Sequence, residues 1–300
     1  MKKILFTFIS ICMLCVSSNA QTTPETPEGN PNFDKKFRFG IRATPQPTWY
    51  KSDNNNSKGA GAAFGFGFGL IMERKLSKIV HFSSGIGGDF EGGYITYRND
   101  ADFSVNAVLN DEGQYVEAKN GVMKEDYQFK DGNTQYVLQE RRFKTTFLTI
   151  PLMLKMMTDE YGGMKYFANA GLELGIRTKT RATDTYISGV KTVVTGTTTT
   201  TPPADELTKS DINLGKDASL APFRIGMNLG LGFEYRIGGS TSLLFSANYF
   251  QSFTNLMRSE SKYLVKGKDT YIGSDNTVTF TPLDQGYFMR AVRLNIAILF

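Results

Sequence analysis

V-R-L-N-I-A-I-L-F, from Val292 to Phe300, closes the 300-residue sequence and carries the pattern that decides the fold. Every second residue from Val292 to Phe300 is bulky and apolar, whereas Arg293 and Asn295 lie between them. Successive side chains of a β-strand point to opposite faces. The stretch therefore predicts a strand with one apolar face and one face that is mostly polar or small.

The same period of two recurs along the chain without an intervening helical period, which excludes parallel βαβ units. Each segment is long enough to cross a bilayer, which takes about 9–11 tilted residues. Pro45 and Pro47 fall on one face of the first segment, where a central ladder tolerates proline poorly, so we expect a bulge or a strand end there. The predicted strands are Phe37–Tyr50, Ala60–Met72, Ile79–Tyr97, Phe143–Met157, Met164–Lys179, Phe223–Ile237, Thr241–Leu256 and Val292–Phe300.

The connections between these strands alternate in length. Those after strands two, four and six are short, those after strands three, five and seven are long, and the one after strand one is intermediate and polar. This alternation is typical of outer-membrane barrels. The sequence therefore predicts an all-β, eight-stranded antiparallel up-and-down transmembrane β-barrel with short periplasmic turns, long extracellular loops and both termini in the periplasm. The connections are Glu73–Lys78, Thr158–Gly163 and Gly238–Ser240 (short), Arg98–Arg142, Thr180–Pro222 and Met257–Gly286 (long), and Lys51–Gly59.

Alternation alone does not say which face points inward. A soluble lipocalin-like barrel would bury the apolar face and hydrate the polar one. The parity of the loops, the terminal aromatic Phe300 and strands longer than the usual five or six residues favour the opposite assignment, with the apolar face toward lipid.

Residues 1–20 are predicted to be a secretory signal peptide that is cleaved after Ala20. Lys2 and Lys3 precede an apolar run, Ile4–Val16, which is too short for a comfortable spanning helix. Residues 21–36 are polar and rich in proline, as expected of a flexible periplasmic tail, and residues 37–300 are assigned to the barrel.

The mature chain would contain no cysteine, because Cys12 and Cys15 both lie in the signal peptide. A disulfide is therefore not expected in the oxidising periplasm. Removal of two lysines with the signal peptide takes the formal charge from +5 to +3, which is too small to indicate nucleic-acid binding.

Two stretches, F-L-T-I-P-L-M-L-K (Phe147–Lys155) and K-Y-F-A-N-A-G-L-E-L-G-I (Lys165–Ile176), resemble the outer-membrane β-barrel family that includes PorT-like proteins. Phe223–Thr254 and Ala291–Phe300 fit the last three strands of that family. The resemblance implies a small barrel in the outer membrane. Because the founding member is associated with protein secretion, it also implies, as an alternative, an accessory role in a secretion or surface-assembly system.

With the apolar face outward, the inward face carries charges of both signs. An arginine facing lipid at mid-bilayer would cost about 2–4 kcal/mol, and an unpaired buried charge also costs several kcal/mol. We therefore predict ion pairs stacked along a plugged lumen, in preference to a proton or ion path. The predicted inward charges are Arg38, Arg42, Lys155, Arg177, Arg224, Arg236 and Arg293, with Asp89, Glu91, Glu173 and Glu234.

No catalytic, cofactor-binding or metal-binding residue is assigned. His81, the one histidine, is expected near the periplasmic end, whereas a surface hydrolase or acyltransferase, the third alternative, needs its base among the outer loops. Asp100, Asp102 and Ser104 lack the glycine and the closing glutamate of a calcium loop. A transition-metal site is disfavoured by the shortage of histidine and cysteine.

Any individual function is expected in the outer loops. Arg98–Arg142 is predicted to extend strands three and four above the membrane as a hairpin. The outer loops form either a solvated, variable surface or an exposed strand edge that captures an extended partner strand. The leading hypothesis is a monomeric, structural or partner-binding barrel in contact with outer-membrane lipid, lipopolysaccharide and proteins of a secretion or surface complex. Aromatic residues suited to such contacts are Tyr115, Tyr127, Phe129, Tyr136, Tyr263 and Tyr271.

Overall fold

The computed structural model describes residues 36–300, apart from residues 101–102, 111, 116–120, 125–133, 188–190, 195–196, 201–206, 215–219, 258–260, 262, 267–270, 273–276 and 281–282. The predicted signal peptide and most of the predicted tail lie outside these residues. The regular elements within them are all β-strands. None of the described residues belongs to a helix long and apolar enough to cross a membrane.

Eight antiparallel strands form a closed ring in which each strand pairs with the next along the chain. The ring closes where the first strand pairs with the last, for example through Ile41 and Ile298. The strands are β1 (Phe37–Ser52), β2 (Ala63–Lys75), β3 (Val80–Tyr97), β4 (Thr134–Met157), β5 (Met164–Ile187), β6 (Phe223–Gly238), β7 (Thr241–Ser252) and β8 (Tyr287–Leu299). The predicted eight-stranded up-and-down barrel is confirmed.

Three strands reach at least five residues further from the short turns than the sequence predicted, and β1 reaches two residues further, to Ser52. β4 begins at Thr134 instead of Phe143, β5 continues to Ile187 instead of Lys179, and β8 begins at Tyr287 instead of Val292. β5 also contains one extra residue, Thr178, opposite the step from Thr146 to Phe147 in β4. This bulge reverses which residues of β5 face inward, and it hides the continuation of the strand from a search for strict alternation.

The proline pair in β1 produces neither the bulge nor the strand end that we expected. β1 stays in register with β2 through both Pro45 and Pro47. The pairing of β1 with β8 stops after Ala43 and resumes at Thr48 in the same register. Residues of equal parity direct their backbone N–H groups toward the same neighbour, so two prolines of one parity weaken one ladder and spare the other.

An apolar belt encircles the barrel and confirms the outward assignment of the apolar face. Along β4 the belt runs from Leu148 to Met156. Eight steps of about 3.4 Å on a strand tilted by about 40° span about 21 Å, close to the roughly 25 Å of outer-membrane barrels. Exposed aromatic residues lie near its two edges: Phe37, Tyr161, Tyr166, Tyr235 and Phe300 at the end with the short turns, and Phe64, Phe223 and Phe253 at the other.

The short turns and the start of β1 share one end of the barrel. Phe39 and Phe300 exchange backbone hydrogen bonds of 3.1 and 2.8 Å, and the backbone N–H of Lys75 donates to the carbonyl of Lys36 at 2.9 Å. In outer-membrane barrels the end with short turns is the periplasmic one, and the two ends of this barrel are named by that convention: the end with the short turns is called periplasmic, and the end with the long connections extracellular.

The sheet of the barrel continues above the belt at the extracellular end as an open extension; we call this extension the cap. Its centre is the outer part of β4 and β5. Val105–Leu109 pairs with β4 and Leu264–Lys266 pairs in turn with Val105–Leu109, while Leu207–Asn213 pairs with β5 on the other side. The predicted extension of β4 is therefore present. Its partner is not one continuous strand, because residues 98–104 separate β3 from Val105–Leu109.

Candidate functional site

Four charged side chains fill the periplasmic end of the lumen; we call them the lower cluster. Arg38 donates from both Nη atoms to Glu234, at 2.8 and 3.0 Å, and also donates to Glu73. Lys155 Nζ donates to Glu73 at 2.8 Å and to Glu234. All four are at most 5% exposed. Since they come from β1, β2, β4 and β6, the cluster crosses the whole lumen.

A second group of charges, the upper cluster, lies further toward the extracellular end. Arg293 donates to Glu91 at 2.9 Å and to Glu173 at 3.1 Å, and Arg224 donates to Glu173 at 3.0 Å. Asp89 lies 3.9 Å from Arg293. Every carboxylate of the cluster has a cationic neighbour, which a charge in a low-dielectric interior requires.

Amide side chains and a small cavity separate the two clusters. Asn248 donates from Nδ2 to Asn169 and Asn228 at 2.9 and 2.8 Å, and Asn295 donates to Asn248 at 2.9 Å. The cavity has a volume of about 60 Å³ and is also lined by Arg42, whose buried Nη2 has no hydrogen-bond partner among the described residues. A polar cavity of this size holds a few water molecules, not a continuous channel.

Most of the predicted inward charges therefore lie in the two clusters. Arg42 lines the cavity, and two others lie elsewhere: Arg177, beside the β5 bulge, donates to the carbonyls of Leu220 and Ala221, and Arg236 pairs with Glu160 in a short turn. Glu73 was missed because it was assigned to a turn, although the alternation of β2 continues through it. With Glu73 included and Arg177 and Arg236 removed, the inward set of the two clusters and the cavity contains five cations and five carboxylates. They are Arg38, Arg42, Lys155, Arg224 and Arg293, with Glu73, Asp89, Glu91, Glu173 and Glu234.

Buried aromatic residues close the barrel above the upper cluster. The Tyr50 ring meets the edge of Phe143 at 5.7 Å, and Phe143 lies 6.3 Å from Tyr287 between ring centres. Phe250 is fully buried against the guanidinium groups of Arg224 and Arg293, at 4.6 and 4.3 Å. The inner face of the cap continues this apolar core with Ile95, Val105, Ala107, Leu138, Ile212, Leu264 and Leu283.

One buried ion pair lies in the cap. Arg141 donates to both carboxylate oxygens of Asp184, at 2.7 and 2.6 Å, and the hydroxyls of Tyr115 and Tyr186 donate to the same carboxylate. Sequence alternation did not reveal this group, because Asp184 follows the bulge and Arg141 precedes the predicted start of strand four. The pair joins β4 to β5 at the centre of the cap, and Tyr115 ties the segment after Val105–Leu109 to it.

Three of the six aromatic residues proposed for partner contacts pack within the cap itself. Tyr115 packs on Tyr263 at 5.5 Å between ring centres, and Tyr136 packs on Tyr186 at 5.7 Å. Tyr127 and Phe129 lie outside the described residues, and Tyr271 is described only in its backbone.

The residues weighed for catalysis or metal binding are dispersed. His81 is at the periplasmic end of β3, opposite Lys75 and Lys155. Asp100 pairs with Arg98 and accepts a hydrogen bond of 2.9 Å from the backbone of Phe103, whereas Asp102 lies outside the described residues. Over the described ranges, no three histidine, cysteine or acidic side chains are grouped as a metal site would need.

The Leu207–Asn213 strand is an edge of the cap sheet, and it is mostly exposed. Its pairing with β5 shifts register between Lys209 and Ile212, and Asp211 has a φ of 61°. Lys209 lies over the ring of Tyr115 at 5.4 Å, and partial burial there lowers its pKa. Bulges and lysines limit uncontrolled pairing at a strand edge. The part of this edge strand that precedes both features, and is therefore regular, is Leu207 and Thr208.

Comparison with known proteins places the chain among membrane barrels. The family model described as "Outer membrane protein beta-barrel domain" matches residues 19–258. Neisserial surface protein A is 11% identical, with a TM-score of 0.34 and coverage of 87% of this chain and 95% of that one. OprG from Pseudomonas aeruginosa is 11% identical, with a TM-score of 0.39 and coverage of 88% and 95%. The outer-membrane protease OmpT from Escherichia coli is 7% identical, with a TM-score of 0.30 and coverage of 88% and 96%. No curated protein matches the chain.

Proposed function

The chain belongs to the outer-membrane protein β-barrel domain family, and from that premise we propose that it is a non-conducting anchor whose cap binds a protein partner at the cell surface. The single observation that carries this proposal is the closure of the extracellular mouth. Tyr50, Phe143 and Tyr287 are at most 2% exposed and pack against one another, so among the described residues their rings fill the barrel beneath the cap. A sealed barrel that supports an ordered outer sheet is suited to presentation, not to transport.

The edge of the cap offers a specific mode of binding. An extended partner segment could pair with the free side of Leu207 and Thr208, in the manner of strand addition. Among the described residues, Leu207–Asn213 pairs only with β5. Main-chain hydrogen bonds would supply affinity, and the register shift at Lys209 would limit the length of the added strand.

Site-specific photo-crosslinking tests this mode. A photo-reactive residue at Thr208 should give one discrete adduct in intact cell envelopes, whereas the same residue at exposed Lys58 should give none. Ser210→Pro should reduce the Thr208 adduct, because proline hinders strand pairing. Equal adducts from both positions, or none from Thr208, would contradict the proposal.

The alternative proposal is an accessory role in a protein-secretion or surface-assembly system. It is supported by the resemblance of Phe147–Lys155 and Lys165–Ile176 to PorT-like proteins. A Thr208 adduct with a component of an export complex, together with loss of secreted proteins on deletion, would favour it over a purely structural role.

We further propose that the protein is a monomer, surrounded by outer-membrane lipid and lipopolysaccharide, without catalytic activity or cofactor. The location of His81 at the periplasmic end supports the non-catalytic proposal, since a surface hydrolase needs its base near the outer loops. We also propose export by a signal peptide cleaved after Ala20. Amino-terminal sequencing of protein purified from outer membranes should begin at Gln21.

A further inference from the structure

The wall of the barrel is interrupted between β2 and β3 near the extracellular edge of the belt. The two strands pair continuously from Lys75 with His81 to Phe66 with Phe90. Pairing with β3 resumes only in the short preceding strand Ser57–Gly61, where Gly61 lies opposite Tyr94. On the inner side Thr48 closes the gap, because its hydroxyl donates to the carbonyl of Gly92 at 2.6 Å and accepts from the N–H of the same residue at 3.0 Å.

On its outer side this interruption forms a recess of about 450 Å³. One side of the recess is apolar: Phe64 is 76% exposed, and Phe66 and Phe90 are also exposed. Gly92 has no side chain to fill the recess, and a Cβ there would lie 2.6 Å from the carbonyl oxygen of Phe143. We call this feature the lateral recess. It faces the lipid, not the lumen.

Cations on β4 and β5 occupy the opposite side of the recess. Lys144 of β4 lies directly across from Arg181 of β5, and Lys179 lies across from Thr146. Arg142 is two residues further along β4, on the same face as Lys144, and its guanidinium stacks on Tyr94 at 5.1 Å. Like charges on directly opposed residues destabilise a sheet, so this arrangement calls for an anion.

The described carboxylates neutralise little of this charge. Asp211 pairs with Arg181, but no salt bridge among the described residues involves Lys144 or Lys179. The Nε atoms of Arg142 and Arg181 are buried and have no hydrogen-bond partner within the described part of the chain. Two lysines and two unused guanidinium donors therefore converge on one recess.

The depth of these groups identifies the ligand. Thr146 and Lys179 come immediately above Leu148 and Ile176, the last exposed apolar residues of β4 and β5, so the cations lie where lipid headgroups begin. We propose that the lateral recess binds the phosphorylated lipid anchor of lipopolysaccharide, with its phosphates on Lys144, Lys179, Arg142 and Arg181 and an acyl chain on Phe64, Phe66 and Phe90. This inference rests on the proposed extracellular orientation, but not on the protein partner of the cap.

Lipid titration of the purified full chain in detergent tests the site. The probes are diphosphoryl lipid A and the same lipid without its phosphates, and bound lipid is counted by native mass spectrometry. One diphosphoryl lipid A should be retained per chain. Lys144→Gln combined with Lys179→Gln should weaken its binding roughly 30-fold, because each lysine near an anionic surface contributes about a factor of five.

Lys51→Gln combined with Arg290→Gln is the matched control. It removes two cations of β1 and β8 on the outward face at the same edge of the belt, away from the recess, and should leave the affinity unchanged. Heat-modifiable gel mobility establishes that both variants are folded. If the lysine variant does not fold, Thr146→Glu, which adds a carboxylate between the cations, replaces it and should also weaken binding.

Equal loss of binding in the lysine variant and the control would overturn the proposal, and so would equal retention of the phosphorylated and dephosphorylated lipids. Either result leaves the membrane barrel and its cap intact, since the crosslinking at Thr208 is measured independently. A protein that stayed soluble without detergent would instead remove the premise of both proposals.

Discussion

Glu173→Gln should destabilise the barrel more than any change to an exposed ion pair. The Glu173 carboxylate is fully buried and accepts hydrogen bonds from both Arg224 and Arg293. The amide that replaces it is neutral and keeps one acceptor oxygen. The two guanidinium groups are then left with Glu91 and the more distant Asp89.

The magnitude follows from the burial of both partners. Removing one member of a buried ion pair costs about 3–5 kcal/mol, because the remaining charge is desolvated without compensation. Since glutamine retains an acceptor, we expect the lower end, about 3 kcal/mol. At a urea dependence of about 2–3 kcal/mol per M, the midpoint should fall by about 1–1.5 M.

The assay is equilibrium unfolding by urea in phospholipid vesicles. The fluorescence of Trp49, the single tryptophan, and the gel mobility of unheated samples report on the same transition. Glu160→Gln is the matched control, because it breaks an ion pair near the surface: the side chain of Arg236 is 24% exposed and that of Glu160 is 29% exposed. This change should cost at most about 1 kcal/mol. If Glu173→Gln costs no more than this control, the lumen is hydrated and the reasoning is wrong.

Three further outcomes are expected. Leu152→Arg, at the middle of the belt on β4, should cost about 2–4 kcal/mol in the same assay, whereas Leu76→Arg in a short turn should cost little. Phe143→Ala should cost about 3–5 kcal/mol by leaving a cavity in the plug, yet planar-bilayer recordings should show no steady large conductance, since the ion-pair clusters still block the lumen. Gly87→Ala should destabilise the barrel by about 1–3 kcal/mol, because the added Cβ would lie 2.8 Å from Arg42 and 2.9 Å from the carbonyl of Phe68. Gly88→Ala, whose Cβ would have its nearest contact at 3.7 Å, should leave the thermal unfolding midpoint unchanged.

The membrane-spanning part of this fold was predictable because lipid imposes a strict rule. Along β6, apolar residues such as Leu229 must face acyl chains, so residues of the other parity, such as Arg224 and Glu234, must face inward. The number of strands, their order and most members of the two charged clusters follow from this alternation and from the lengths of the connections.

Above the belt the rule no longer applies, and the sequence becomes harder to interpret. The bulge at Thr178 reverses the parity of β5, which hid the Arg141–Asp184 pair and misplaced Arg177. The closure by Tyr50, Phe143 and Tyr287 could not be foreseen, since it depends on which distant strands meet around the mouth. The lateral recess depends on a gap in the pairing of β2 with β3, and local pattern does not reveal such a gap.

The most direct test of the claim that the apolar face of the barrel meets lipid is to measure which side of β7 faces the acyl chains. Single cysteines at Ala247 and Ser246, introduced into the otherwise cysteine-free barrel and labelled with a small fluorophore, are compared in vesicles that contain lipids brominated on their acyl chains. Ala247 lies in the exposed belt and Ser246 in the lumen. Strong quenching at Ala247 and weak quenching at Ser246 is the expected result; the reverse, or equal quenching at both, would show that the apolar face does not meet lipid.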